Sequence, residues 1–262
     1  MALLAPDRIA LQLYTLREDA QHDLIGVLRT VAGIGYRGVE FAGLQGIEPK
    51  RVRAALDELG MVTAAAHVPL QRWEGEPDAV LAELATIGCP TAVVPWLPPE
   101  RRGGLASAME LAGQLNAIAR RCADAGFAFA YHNHDFEFAP LPDAEGDAKT
   151  MFDVLVAETD PALVGFELDL YWAAVAGVDP GELLARMAGR VPLVHLKDMG
   201  QETNARGIPA DKPVGAGTLD WAALVPASQT AGAQWGIVEQ DNPNPDDPVG
   251  DVRAAFAYLT AG

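Results

Sequence analysis

The stretch Phe127-Ala128-Phe129-Ala130-Tyr131-His132-Asn133-His134 alternates large and small residues, the period-two signature of a β-strand with two unlike faces. Phe127, Phe129 and Tyr131 share one face, and Ala128, Ala130, His132 and His134 share the other. A small face ending in two histidines suits a crowded interior that opens into a reactive mouth. The aromatic face then belongs under outer helices. An Ala/Leu-rich amphipathic stretch at 104–125 precedes this strand, and another at 147–158 follows it.

Working outward in both directions, the same unit recurs. Short β-rich runs occur at Ile9–Tyr14, Gly38–Phe41, Val62–His67, Thr91–Trp96, Phe127–His134, Leu163–Asp169, Val191–Lys197 and Trp235–Glu239. Helical patterns lie at 22–34, 49–59, 76–87, 104–125, 147–158, 180–188, 219–230 and 248–260, and Gly or Pro punctuates most junctions. Eight strand–helix units predict a (β/α)8 TIM barrel, and 262 residues suit one such domain over 1–262, since these barrels run to about 250 residues. An open doubly wound sheet is disfavoured, because the first strand runs into Leu13-Tyr14-Thr15-Leu16-Arg17 without a glycine-rich phosphate loop.

Nineteen Lys and Arg stand against 36 Asp and Glu, a formal charge of −17, which repels a nucleic-acid backbone. Cys89 and Cys122 have no CxxC neighbour and read as reduced core residues. The opening Met1-Ala2-Leu3-Leu4-Ala5-Pro6 is too short an apolar run for a signal peptide, and no run is long enough to span a bilayer. The expected location is the cytoplasm, with no membrane and no nucleic-acid partner. Self-association into a homo-oligomer is left open.

In this architecture chemistry collects at the C-terminal ends of the strands. Parity brings Gln12, Tyr14, Glu40, His67, Trp96, His132, His134, Glu167, Asp169, His195, Lys197 and Glu239 to one rim. Eight four-residue windows cover about 32 positions, in which five histidines should by chance place about 0.6. Four fall there: His67, His132, His134 and His195. Converging imidazoles and carboxylates suit one divalent ion, Mn2+, Mg2+, Co2+ or Zn2+, acting as a Lewis acid on a carbonyl and its neighbouring hydroxyl. Trp73, Trp96, Trp172, Asn133 and Gln240 are placed to offer ring faces and neutral hydrogen bonds to a sugar or polyol. Glu40, His67 and His132 are further candidates for substrate contact, although a core ion pair would account for Glu40 and His67 equally well. The loop from Gly200 to Gly217 reads as an irregular connector, because Gly207, Pro209 and Pro213 discourage regular structure.

The segments Ile9 to Arg17, Gly38-Val39-Glu40, Tyr131 to Phe138, Asp169-Leu170-Tyr171-Trp172, His195-Leu196-Lys197-Asp198, Gly215 to Trp221 and Val238-Glu239 together resemble the sugar phosphate isomerase/epimerase superfamily with its xylose-isomerase-like barrel. The resemblance covers almost the whole chain, in order. It implies one divalent ion held by Glu, Asp, His and Glu from strands five to eight. Asp169, His195 and Glu239 match the last three. Strand five departs from the epimerase pattern, with Tyr131-His132 where a glutamate is expected, so Glu137 is taken as the fourth ligand, with His134 as the alternative.

The resemblance further implies an enediolate formed from a keto-sugar, with Glu239 or His134 as general base and Lys197 as electrophilic helper. The first expectation is a metal-dependent isomerase or epimerase. The histidine-rich strand five also resembles inosose dehydratases and related lyases, so elimination or hydration of a keto-inositol or 3-keto-sugar competes. A non-catalytic sugar-binding barrel is the rival from another class. A DNA-repair endonuclease on a related fold would need more zinc-binding histidines and a basic face, which the charge of −17 disfavours.

Overall fold

The computed structural model describes residues 2–143 and 150–261. Eight parallel strands close into a barrel: β1 (Ile9–Gln12), β2 (Gly38–Phe41), β3 (Val62–His67), β4 (Thr91–Val94), β5 (Ala128–His132), β6 (Val164–Asp169), β7 (Leu193–Leu196) and, as the eighth barrel strand, β10 (Trp235–Val238). Between β7 and β10 a separate antiparallel hairpin forms from β8 (Asp198–Thr203) and β9 (Pro209–Lys212). The outer ring comprises α1 (Arg17–Ile34), α2 (Pro49–Leu59), α4 (Pro77–Ile87), α5 (Leu105–Asp124), α6 (Met151–Glu158), α8 (Pro180–Arg186), α9 (Trp221–Ala231) and α10 (Pro248–Thr260), and the short helices α3 (Leu70–Gly75) and α7 (Leu170–Val175) follow β3 and β6 directly. The first residues of the helix expected at 147–158 lie outside the described residues.

The chain's two-faced strands sort the core into two layers. Phe129, Tyr131, Phe166 and Leu168 face outward into the large core under the helices, whereas Ala10, Ala64, Ala65, Val93, Ala130, Leu193 and Ile237 fill the barrel interior. Four alanines are interleaved there with Val93, Leu193 and Ile237, because an eight-stranded barrel is just wide enough for side chains to fill. Gly38 shows the constraint: a Cβ at this position would sit 2.7 Å from the Trp235 ring and 3.0 Å from Ala10 Cβ.

One pleat above the apolar layer the inward positions turn polar. Gln12 pairs in register with Glu40, His132 with Glu167, and Asp169 with His195. Registration alone therefore stacks a buried ionisable layer on an alanine-rich floor, at the C-terminal end of the barrel. This placement positions the site.

Two departures from the sequence expectation have local causes. The Gly200–Gly217 connector holds most of the hairpin, which starts two residues earlier at Asp198, because Pro209 sits at the first residue of β9, where no ladder donor is lost, and Gly207 turns at φ +76°. Helix α1 starts earlier than position 22 but is interrupted at Asp23 (φ −150°, ψ 80°), whose carboxylate accepts from Gly26 N at 2.9 Å and caps the second segment. No helix among the described residues is long and apolar enough to cross a membrane.

Candidate active site

Residues far apart in the chain meet at the top of the barrel. His195 from β7 lies at the centre: its Nδ1 is 3.0 Å from Glu239 Oε2 and 3.9 Å from Asp169 Oδ2, and its Nε2 is 2.8 Å from Glu40 Oε2 and 3.2 Å from Glu167 Oε2. His67 Nε2 is 2.7 Å from Glu167 Oε2 and 3.3 Å from Glu40 Oε2, and Gln12 Nε2 donates to Glu40 Oε2 at 2.8 Å. The Lys197 ammonium, fully buried, lies 3.1 Å from Asp169 Oδ2, 2.8 Å from Glu239 Oε2 and 2.7 Å from Asp241 Oδ2.

Two groups of ligand atoms come together, each with all its atoms within 4.8 Å of one another: His132, Asp169, His195 and Glu239, and His67, His132, Glu167 and His195. The donor chemistry fits a divalent ion. Two imidazoles and two carboxylates, three from strands and one just beyond a fourth, suit Mn2+, Co2+ or Zn2+. Asp169 Oδ2 faces Lys197 Nζ at 3.1 Å and His132 Nδ1 lies 3.1 Å from Glu167 Oε2, while one oxygen each of Glu40 and Glu167 is buried without a hydrogen bond among the described residues. Leaving such atoms unpaired is expensive unless something else binds them. The first group takes one residue from each of β5 to β7 and one that follows β10. The second backs it: when His195 gives one ring nitrogen to an ion, the other faces Glu40 and Glu167, the carboxylate–histidine pairing that orients metal ligands.

Burial and charge set the protonation states. Burial pushes Glu40 up to about 7, helped by the Glu167 charge, and pushes Asp169 up to about 6 against the pull of Lys197. Burial also opposes ionisation of Glu167 and Glu239, but His195 and its cationic neighbours outweigh it and hold both well below the carboxylate range. His195 and His67 are raised, as the surrounding carboxylates overcome the cost of burial. His132, by contrast, is brought down to about 4 by burial and the His195 charge. His134 also falls, through burial and its neighbour His132.

A cavity of about 520 Å3 opens above this layer. His67, His132, His134, Glu239 and Trp96 line it as the sequence expects, and Asp241 joins them. His134 stands with its ring edge-on to His132, and its Nδ1 is buried without a hydrogen-bond partner among the described residues.

Other expected residues are placed elsewhere. Glu137 is not brought into either ligand group: its Oε1 accepts from the Tyr131 hydroxyl at 2.7 Å and its Oε2 from His134 N at 2.7 Å, which ties it to the outward face of β5. His132, rather than Glu137, is the strand-five member of the first ligand group. Gln240 turns away to donate to Asp251 Oδ2 at 3.1 Å, and its backbone N–H is bonded to Thr15 Oγ1. Trp172 is buried, its ring centroid 5.5 Å from Lys197 Nζ and 5.4 Å from that of His134, so it packs behind the site. Trp73 packs edge-on against Phe129 under the helices. Asn133 clamps the Asp169 backbone, accepting from its N–H at 3.1 Å and donating to its carbonyl at 3.3 Å.

Sequence reasoning brings Glu167 to the rim and the Asp241 strip beside the mouth, but it gives neither residue a ligand or substrate role. Parity did place Glu167 on the inner face, and its register partner His132 was the usable signal. Asp241, in a turn-rich strip after the last barrel strand, carried none beyond its closeness to Glu239.

A sequence model of the family described as xylose isomerase-like TIM barrel matches residues 28–261. An inosose dehydratase of Geobacillus kaustophilus is 29% identical over 195 residues, a match covering 66% of this chain and 61% of that protein, so the chain spans less than two thirds of this relative's length. Among solved structures, a sugar phosphate isomerase/epimerase of Parabacteroides distasonis superposes with a TM-score of 0.83 at 22% identity, covering 99% of this chain and 95% of the other. A probable 3-DHS dehydratase of Bacillus anthracis, involved in petrobactin synthesis, gives 0.73 at 12% identity, covering 96% and 98%. At these identities the two structures attest to a shared fold.

Proposed function

The chain belongs to the xylose isomerase-like TIM barrel family, and from that footing we propose that it is a divalent-metal-dependent isomerase or epimerase that removes an α-proton from a keto-sugar or related polyol in the cytoplasm. The observation that carries the proposal is a ligand set that reaches one cavity through His132 and Glu239, with a free base in the wall of that same cavity. His132, Asp169, His195 and Glu239 form the ligand set. His134, electrically neutral and with an unpartnered ring nitrogen, stands in the wall above it.

When bound, the ion supplies Lewis acidity to a carbonyl and its adjacent hydroxyl. This chain's own residues do the rest. Lys197 lies against Asp169, Glu239 and Asp241, so it favours their ionised forms and fixes their positions before substrate arrives. Asn133 sets the height of Asp169 through the backbone. His134 is poised to accept the α-proton at its ring nitrogen, since a neutral imidazole is the competent form of a general base. Glu239 enters from a strand three places around the barrel from β5, so carboxylate and imidazole approach the cavity from different sides. Proton removal by one and return by the other inverts or relocates the carbonyl-flanking centre.

A second reading is elimination of water from a keto-inositol or 3-keto-sugar. It is favoured by the sequence match to inosose dehydratase and by His132 at the strand-five ligand position. Here one group takes the α-proton and the other protonates the departing β-hydroxyl.

Incubation with a panel of keto-sugars and inososes in D2O, with Mn2+ present, tests both. The leading reading expects deuterium at an α-carbon and a new epimer or isomer by proton NMR. Loss of water with enone absorbance selects the second. Binding without exchange or turnover across the panel overturns both in favour of a non-catalytic barrel.

A further inference from the structure

The cavity above the ligand layer has two unlike halves. One is polar, with His132 and His134 at and beyond β5 and Glu239 and Asp241 beyond β10. The other is built at and beyond four consecutive strands and is mainly apolar: Tyr14 after β1, Ala42 after β2, Pro69 after β3, and Pro95 and Trp96 after β4, with His67 at the end of β3 and Arg72 of α3 as its polar members. Tyr14 and Trp96 are 42% and 44% exposed, and they are two of the five large hydrophobic side chains exposed among the described residues. Exposed aromatic surface at a polar cavity is costly to leave in water and is the usual mark of a binding wall.

Both rings are held in place rather than loose. The Arg17 guanidinium lies 4.4 Å from the Tyr14 ring centre and donates to Tyr14 O at 3.1 Å. The Arg102 guanidinium lies 5.0 Å from the Trp96 ring and 3.5 Å from that of Phe136, and its Nε donates to Leu97 O at 2.7 Å. A preset wall lowers the ordering cost of binding.

Size and charge narrow the occupant. At roughly 30 Å3 per water the cavity displaces about 17 waters, more than the about 12 heavy atoms of a hexose. Phosphate is disfavoured: Glu239 and Asp241 line the cavity, and its lining arginine, Arg72, is already engaged by Glu76 at 2.6 Å and Glu83 at 2.9 Å. We propose that the second half is a further subsite, walled by Tyr14 and Trp96, that holds the aglycone ring of a neutral keto-glycoside, one whose ketone lies on a ring carbon of the glycosyl unit, while that glycosyl ring occupies the polar half. The proposal rests on the keto-sugar reading above and names its substrate class.

Calorimetric titration tests it with D-glucose, D-galactose, their phenyl β-glycosides and glucose 6-phosphate. At least one phenyl glycoside should bind the native protein tenfold or more tightly than its parent hexose, and glucose 6-phosphate no more tightly than glucose. That ratio should fall at least fivefold in Trp96→Ala and in Tyr14→Ala and stay within twofold in Trp96→Phe, each variant first shown to be folded by circular dichroism. A ratio near one in the native protein, no binding of either phenyl glycoside, tighter binding of the phosphate ester, or a ratio unchanged in both alanine variants overturns the subsite. Failure of the underlying reading shows differently, as absence of bound metal and of deuterium exchange from the native protein, neither of which involves an aglycone.

Discussion

Replacing Lys197 by Met removes the ammonium and keeps most of the side chain's length. Three carboxylates, Asp169, Glu239 and Asp241, then lose a cation within 3.1 Å. Deleting one partner of a buried pair costs about 3–5 kcal/mol. Asp169, already pushed up to about 6, can relieve part of the loss by taking a proton, which places the expected cost at about 3–4 kcal/mol at neutral pH. For a chain of this size roughly 2–3 °C of Tm accompanies each kcal/mol, so melting should fall by about 6–12 °C.

The pH dependence has a definite sign. A carboxylate whose folded pKa is raised loses stability as pH climbs from its ordinary value through the folded one. Removing Lys197 raises Asp169 and Asp241 further and takes from Glu239 the largest influence that holds it low, which extends that window upward, so the deficit should be larger at pH 8 than at pH 5. Differential scanning calorimetry of both proteins in EDTA, to exclude rescue by a bound cation, measures it. A variant melting within about 2 °C of its parent at pH 8, or a deficit as large at pH 5 as at pH 8, refutes the reasoning.

Three further outcomes are expected. Glu137→Gln should keep its full complement of bound Mn2+, since the Glu137 carboxylate is engaged by Tyr131 and His134; loss of metal by atomic absorption would return Glu137 to the ligand set. Asn133→Ala should fold but bind Mn2+ about 10–100-fold more weakly, as loss of an outer-shell partner does, with titration of the apoprotein as the check and unchanged affinity as the contrary result. Asp198 accepts hydrogen bonds from the N–H groups of Met199, Gly215, Gly217 and Leu219 at 2.8–3.1 Å. Asp198→Ala should therefore cost about 2–3 kcal/mol in urea unfolding, less than four full bonds because exposed loop amides regain water; a loss below about 0.5 kcal/mol would deny the anchoring role.

Much of this was legible in the chain because barrel strands announce themselves twice, by period and by the switch from small to ionisable residues at one end. The runs at Gly38–Phe41 and Val62–His67 match their strands residue for residue, and the inward parity of Ala130 and His132 holds. What escaped depends on geometry that a one-dimensional pattern does not encode. Glu137 lies five residues beyond His132, yet the short 3-10 turn Phe136–Phe138 swings its carboxylate under Tyr131 rather than over the mouth. Helix α7 hides behind its own cap, because Asp169, read as a rim ligand, also accepts from Trp172 N at 2.9 Å and starts a helix with no loop before it. Asp241 reaches Lys197 only because the strip after β10 folds back, tied by Asn242 to Asp211 of the hairpin at 2.8 and 3.0 Å.

The account's central claim is that His132, Asp169, His195 and Glu239 enclose one cation. Titrating chelator-stripped protein with Mn2+, followed by electron paramagnetic resonance of the free ion, tests it most directly. The expected result is a single site per chain in the native protein and its disappearance in the Asp169→Asn, Glu239→Gln double variant, with the fold intact by circular dichroism. Undiminished uptake by that double variant, or no uptake by the native chain, would contradict it.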